Sequence, residues 1–98
     1  MEEAEFEWDE LKNLSNQKKH GISFEDAARV FSDPFVQLIP DGFEDGEERW
    51  RAYGQIGSTA IVMAAHTYRT DKGHEKIRII SARLATRFER QKYETENG

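Results

Sequence analysis

Polar and apolar residues alternate in Glu5-Phe6-Glu7-Trp8, which predicts a short strand buried on one face. Asp9 then offers a side-chain oxygen to cap a helix over Glu10–His20. Leu11 and Leu14 are that helix's only large apolar residues, and Gly21 suits its left-handed end. Ser23 with Asp26 resembles a capping box, and Phe24, Ala27, Ala28 and Phe31 recur at helical spacing, so a second, short helix with a core-facing stripe follows. Asp33-Pro34 stops it. Phe35–Ile39 is then a strand and Pro40–Gly46 a turn-rich connection. The next strand, Glu48–Tyr53, sets Trp50 and Ala52 on one face and Arg49, Arg51 and Tyr53 on the other; Gly54–Ser58 forms its hairpin connection. Thr59–His66 is almost continuously apolar, the mark of a central strand covered on both sides. Asp71-Lys72-Gly73 is another turn and Lys76–Ser81 the last strand. Thr86 with Glu89 forms a capping box that opens a final helix, which frays after Tyr93. The expected architecture is α+β: a short strand and two helices, an antiparallel meander sheet of four strands, and a C-terminal helix.

Ninety-eight residues suffice for one domain spanning 1–98, and no repeat, linker or low-complexity segment divides them. The absence of cysteine excludes a disulfide framework, a thiolate nucleophile and a cysteine-bound zinc. No apolar run reaches the roughly 18 to 20 residues that span a bilayer, and Met1-Glu2-Glu3-Ala4-Glu5 is the reverse of a basic leader. A soluble cytoplasmic protein with no membrane partner is expected. The net charge of -5 argues against a general nucleic-acid binder. That charge is unevenly distributed, however. Gly21–Glu48 holds eight acidic residues against one arginine, whereas His66–Lys92 holds eight basic residues against three acidic. Any contact with nucleic acid is therefore local. The acidic run Asp41–Glu48 is either a solvated loop or a surface that attracts a basic partner.

Trp8-Asp9-Glu10-Leu11-Lys12-Asn13, then Asn16–Ala27 and Val30-Phe31-Ser32-Asp33, closely resembles the opening of the BrnT toxins of bacterial type II toxin–antitoxin systems. Ile77–Arg83, with Ala85-Thr86 and Glu89-Arg90 through Tyr93, resembles that family's ending. The resemblance implies a RelE-like fold and a metal-independent ribonuclease activity that stops translation, with no cofactor. It also implies neutralisation by a small BrnA-like antitoxin with a ribbon-helix-helix DNA-binding portion. Operator DNA would then be reached only through the antitoxin, in a hetero-oligomer. A non-catalytic alternative keeps the fold: a scaffold that holds its antitoxin and enhances repression of their shared promoter.

Metal-free cleavage of RNA needs removal of the 2′-hydroxyl proton, neutralisation of charge on the crowded phosphorus and protonation of the leaving 5′-oxygen. Arginine is the side chain best fitted to gripping phosphate. Arg78 and Arg83 are five apart, so strict strand alternation points them to opposite faces; only a bend or bulge near Ser81 lets both serve one pocket. Each either binds the scissile phosphate or pairs with an acidic neighbour. His66, closing the central strand, is either a general acid or base or a core imidazole. Arg69 follows in an expected loop where it could grip phosphate, and Arg49 could reach the same pocket or pair with an acidic residue near Asp45. Arg49, His66, Arg69, Arg78 and Arg83 are thus the catalytic candidates.

Lys12, Lys19 and His20 on the first helix, and Arg87 and Arg90 on the last, are the RNA-binding candidates. Both sets are equally explained as solvated helix faces, and Lys19-His20 also complements its helix's negative end. The three histidines lack close metal-ligand spacing, so no zinc site is expected.

Overall fold

A computed structural model describes residues 5–97. Asp9, in extended conformation, accepts hydrogen bonds from the Leu11 and Lys12 amides at 2.9 and 3.2 Å, so α1 (Glu10–His20) starts where its orphan donors find an acceptor. It ends at Gly21, whose φ of 75° is the left-handed conformation glycine adopts without strain. Ser23 Oγ accepts from the Asp26 amide and opens α2 (Phe24–Ala27), which tightens into a 3-10 segment, Ala28–Ser32.

The strands are β1 (Glu5–Glu7), β2 (Gln37–Glu44), β3 (Glu47–Ile56), β4 (Ala60–Asp71) and β5 (His74–Leu84), and α3 (Arg87–Asn97) closes the chain. The sheet order is β1-β5-β4-β3-β2. Consecutive strands from β2 to β5 pair antiparallel as expected, but β1 joins β5 parallel, so the sheet is mixed rather than wholly antiparallel. The two helices between β1 and β2 carry the chain to the far edge of the sheet, leaving β1 to add alongside β5.

Most strands outrun their apolar stretches. β2 starts later than expected and continues through Pro40–Glu44, with a register shift between Pro40 and Phe43 that accommodates the proline. The connection to β3 contracts to Asp45-Gly46, both at positive φ (54° and 78°), as a two-residue hairpin turn requires. Lys72-Gly73, at 51° and 80°, repeats that turn between β4 and β5. Residues 67–71 are therefore strand, and Arg69 lies on β4 rather than in a loop. α3 likewise runs past Tyr93 to Asn97, whose side chain bonds the Tyr93 and Phe35 carbonyls.

The two faces of the sheet are covered unequally. Phe24, Ala27 and Val30 pack on Ala52, Val62, Ala64, Ile79 and Ala82 beneath α2 and the 3-10 segment. Phe24 is fully buried, which stabilises the fold by about 2 kcal/mol. Gly54 makes this approach possible: a Cβ there would stand 2.7 Å from Val30 Cβ, closer than atoms tolerate. The opposite face carries a smaller cluster of Tyr53, Ile61, Met63 and Tyr93.

α1 buries asparagines instead of its leucines. Leu11 and Leu14 are 76% and 56% exposed, whereas Asn13 and Asn16 are buried. Asn16 donates to the Ile22 and Ala82 carbonyls and accepts from the Ala82 amide at 3.1 Å. Its amide thereby completes the outer edge of β5 beyond the reach of β1. Asn13 accepts from the Phe24 amide at 2.8 Å and donates to Glu10 and Glu25, fixing α1 against the start of α2.

Asn16→Ala, which orphans buried backbone groups at Ala82, is expected to cost about 2 to 4 kcal/mol in urea unfolding. Leu11→Ala should stay within about 0.5 kcal/mol of the parent.

Candidate nucleic-acid interface

β5 carries one residue more than β4 opposes. Ser81 pairs with Ala65 while Ile79 pairs with His66, leaving Ile80 as a bulge. That extra residue reverses the alternation, so Arg78 and Arg83 point to the same face despite their odd spacing. The cross-strand register sets the rest of this face. Arg83 lies opposite Met63 and Tyr53; Ser81 opposite Ala65 and Arg51; Arg78 opposite Thr67 and Glu7; and Lys76 opposite Arg69 and Glu5. Arg49, two residues before Arg51, shares it by alternation. α3 covers the end near Tyr53 and Arg83. At ~3.3 Å per residue, Arg78 and Arg83 are roughly 13 Å apart along the strand once the bulge is discounted.

His66 is on the other face. It is 0% exposed, packed edge-on against Phe31 at 4.8 Å between ring centroids. Its Nδ1 lies 3.0 Å from the Ala64 carbonyl, which can only accept, so Nδ1 carries the proton and Nε2 accepts from the Tyr68 hydroxyl at 3.2 Å. Burial pushes its pKa below the ordinary histidine value, keeping the ring neutral. Of the five catalytic candidates, Arg49, Arg69, Arg78 and Arg83 are thus brought to one face and His66 is placed in the core.

The arginines are organised by carboxylates. Glu89 receives Arg83 through two bonds of 2.7 and 3.2 Å, a bidentate pair. It also accepts from the Tyr53 hydroxyl at 2.7 Å and the Thr86 amide at 2.8 Å, and lies 3.6 Å from Arg51. The Arg83 guanidinium, aided by the Thr86 and Tyr53 donors, outweighs burial and holds the Glu89 pKa down to about 2. Burial, reinforced by Glu89, raises that of Tyr53. Arg51 Nε also meets Asp41 at 3.0 Å. At the other end Glu7 lies 3.4 Å from Arg78 and 4.0 Å from Arg69, and Arg49 is 3.9 Å from Glu44.

Among the described residues three buried polar atoms on this face have no partner: Gln37 Nε2, Arg49 Nε and the Oγ1 of Thr67, a residue 1% exposed that pairs with Arg78 in the ladder. Unpaired buried polar atoms are rare, and these lie beneath the face that carries the guanidinium groups.

The remaining candidates divide. Lys12, Lys19 and His20 line, with Ser81, a shallow depression of about 210 Å³ at the outer edge of β5, and Ser81 also belongs to the arginine face. Arg87 is exposed at the start of α3. Arg90 turns away, donating to the Thr59 carbonyl at 2.8 Å and meeting Glu94 at 3.2 Å. Arg51, Tyr53, Glu7 and Glu89 also belong to the site, although none of them is among the sequence candidates. Arg51 was findable, since it shares a face with Arg49 by simple alternation. Glu7 was not, because its approach to Arg78 depends on β1 pairing parallel with β5. Among the described residues no three His, Asp or Glu side chains gather closely enough to hold a metal ion, and no helix is long and apolar enough to cross a membrane.

A sequence model described as the ribonuclease toxin, BrnT, of type II toxin–antitoxin systems matches residues 8–89. The crystal structure of the Brucella abortus ribonuclease toxin, BrnT, is similar with a TM-score of 0.62 at 24% identity, covering 87% of this chain and 100% of that one. At that identity the likeness establishes a shared fold. No curated protein sequence matches the chain.

Two outcomes are expected. Because the folded Glu89 pKa lies below the ordinary 4.5, its contribution is present above about pH 4.5 and lost as pH falls toward about 2. Wild type should therefore lose roughly 3 kcal/mol more than Glu89→Gln across that window in acid unfolding. His66→Gln should lower Tm by several degrees in thermal unfolding, because it removes a buried ring held by Ala64, Tyr68 and Phe31. An unchanged Tm would show that the buried ring does not hold the core.

Proposed function

The chain belongs to the BrnT family of ribonuclease toxins of type II toxin–antitoxin systems, and on that premise we propose that it is a metal-independent endoribonuclease whose RNA-binding surface is the open sheet face beside α3. What carries this reading is the gathering of Arg49, Arg51, Arg69, Arg78 and Arg83 on one face. Such a surface stabilises negative charge developing on phosphorus, usually the largest single contribution to this kind of catalysis. Arg78 and Arg83 are the phosphate clamps, and Arg49 and Arg69 flank Arg78. A phosphate reaching Arg78 replaces Glu7, exchanging one charge-assisted contact for another, whereas at Arg83 it joins a guanidinium that Glu89 continues to orient.

Glu89 remains ionised throughout the physiological range and is a weak proton acceptor. Its part is to orient Arg83, Arg51 and Tyr53. Lys12, Lys19 and His20 extend the cationic track around the β5 edge and Arg87 extends it along α3, whereas Arg90 anchors that helix and His66 is structural. The whole chain acts as one toxin domain of RelE-like fold in the cytoplasm, where cutting RNA inhibits translation. A BrnA-like ribbon-helix-helix antitoxin neutralises it in a hetero-oligomer and alone contacts operator DNA.

The scaffold reading is favoured by a different observation: each of these five arginines already has a carboxylate within 2.7 to 4.0 Å. Incubation of the antitoxin-free protein with RNA in EDTA separates the two. Cleavage is expected, with Arg78→Ala and Arg83→Ala each lowering kcat/KM by ~10²-fold or more and Arg90→Ala by less than ~3-fold. Intact RNA at high concentrations of verified folded protein would leave the scaffold reading standing.

A further inference from the structure

Between β2, β3 and the first turns of α3 lies a cleft of about 260 Å³ that neither phosphate clamp, Arg78 or Arg83, lines. Its inner wall includes Ile39 and Pro40, and Phe88 stands at its side with a ring 75% exposed. An exposed phenylalanine beside an apolar wall is a stacking platform, since every nucleobase offers a π face. Glu89, which lines this cleft beside Arg51, also receives Arg83, so the cleft lies one side chain away from a phosphate clamp.

Its polar groups are placed to read an edge. Gln37 faces the same way as Tyr53, its ladder partner, and its Nε2 is buried without a hydrogen-bond acceptor. A buried amide donor left unpaired costs stability unless a bound molecule satisfies it. Four residues further along the same strand, with Ile39 between them, Asp41 engages Arg51 through Oδ2, which leaves its other oxygen to accept a further hydrogen bond. The cleft therefore presents one donor and one acceptor beside an aromatic face.

We propose that this cleft receives a single unstacked nucleobase of the RNA substrate, and that it selects a base bearing a carbonyl oxygen next to a ring N–H, guanine or uracil. Gln37 donates to the carbonyl, Asp41 accepts from the ring N–H, and Phe88 stacks on the face. Adenine and cytosine place a ring acceptor beside an amino group, which turns the acceptor of Asp41 against a lone pair. Single-stranded RNA is commonly recognised through unstacked bases read on this edge. The assignment deepens the nuclease reading and rests on it for the substrate being RNA. It makes the cleft the source of sequence preference while the arginine face supplies charge neutralisation.

Two measurements test it. The first maps cut sites on a random single-stranded RNA library with wild type, Gln37→Ala and Phe88→Ala, each verified as folded by circular dichroism. Wild type should favour guanine or uracil at one fixed position from the cut by ~10-fold or more, and Gln37→Ala should reduce that preference below ~3-fold. Phe88→Ala should raise KM by ~10-fold and lower kcat by less. The second titrates wild type with guanosine, uridine, adenosine and cytidine monophosphates and with ribose 5-phosphate, following the Phe88 and Tyr53 ring resonances by NMR. The first two nucleotides should shift Phe88 at lower concentration than the others, and ribose phosphate should not shift it. Cutting without base preference, unaltered in either variant, would overturn the base pocket and leave the nuclease reading intact. If wild type cuts no RNA yet the guanosine or uridine nucleotide shifts Phe88, the pocket stands and the nuclease reading falls.

Discussion

The Glu89 carboxylate is the point on which the rest of the molecule turns. It closes the capping box that starts α3, receives both arms of Arg83 from β5, accepts the Tyr53 hydroxyl of β3 and stands beside Arg51. One side chain thus ties the final helix to two strands of the sheet. The other attachments of α3 point the same way: Tyr93 donates to Asp33, Arg90 to the Thr59 carbonyl, and Asn97 to the Phe35 carbonyl. Together they hold the helix over one end of a sheet face and leave the other end uncovered. The open surface is therefore a consequence of where the helix is fastened.

A small irregularity in β5 decides what that surface carries. Without the Ile80 bulge, Arg78 and Arg83 would project to opposite sides and no single face could present both. With it, a chain of net charge -5 concentrates guanidinium groups on one side. The carboxylates of Glu7, Glu44, Asp41 and Glu89 moderate the self-repulsion of that cluster, as pairs of opposite charge do when partly shielded from water. The same arrangement suits reversible exchange with an anionic ligand, because a phosphate arriving at Arg78 replaces a contact of similar kind with Glu7.

The covered side of the sheet is held differently. Phe24, Val30 and Ile79 supply apolar contact, but α1 is seated by the amides of Asn13 and Asn16, each of which meets several backbone or side-chain partners. A satisfied buried amide fixes one orientation where an apolar stripe would tolerate several. His66 belongs to this side as well, held between a backbone carbonyl, a tyrosine hydroxyl and the Phe31 ring.

Much of the local structure was determined by the sequence alone. The Asp9, Ser23 and Thr86 caps, the Gly21 helix end, the Lys72-Gly73 turn and the central position of β4 all follow from interactions within a few residues or from unbroken apolar character. The motifs from Trp8 to Asp33 and from Ile77 to Tyr93 likewise sufficed to place the chain in its family. Tertiary structure decided the rest. It set the parallel pairing of β1, the burial of Asn13 and Asn16 in place of Leu11 and Leu14, the removal of His66 from the surface and the convergence of the arginines. Each of these depends on the register between strands distant in sequence. A shift of a single residue sends every subsequent side chain to the other face, and composition carries no record of such a shift.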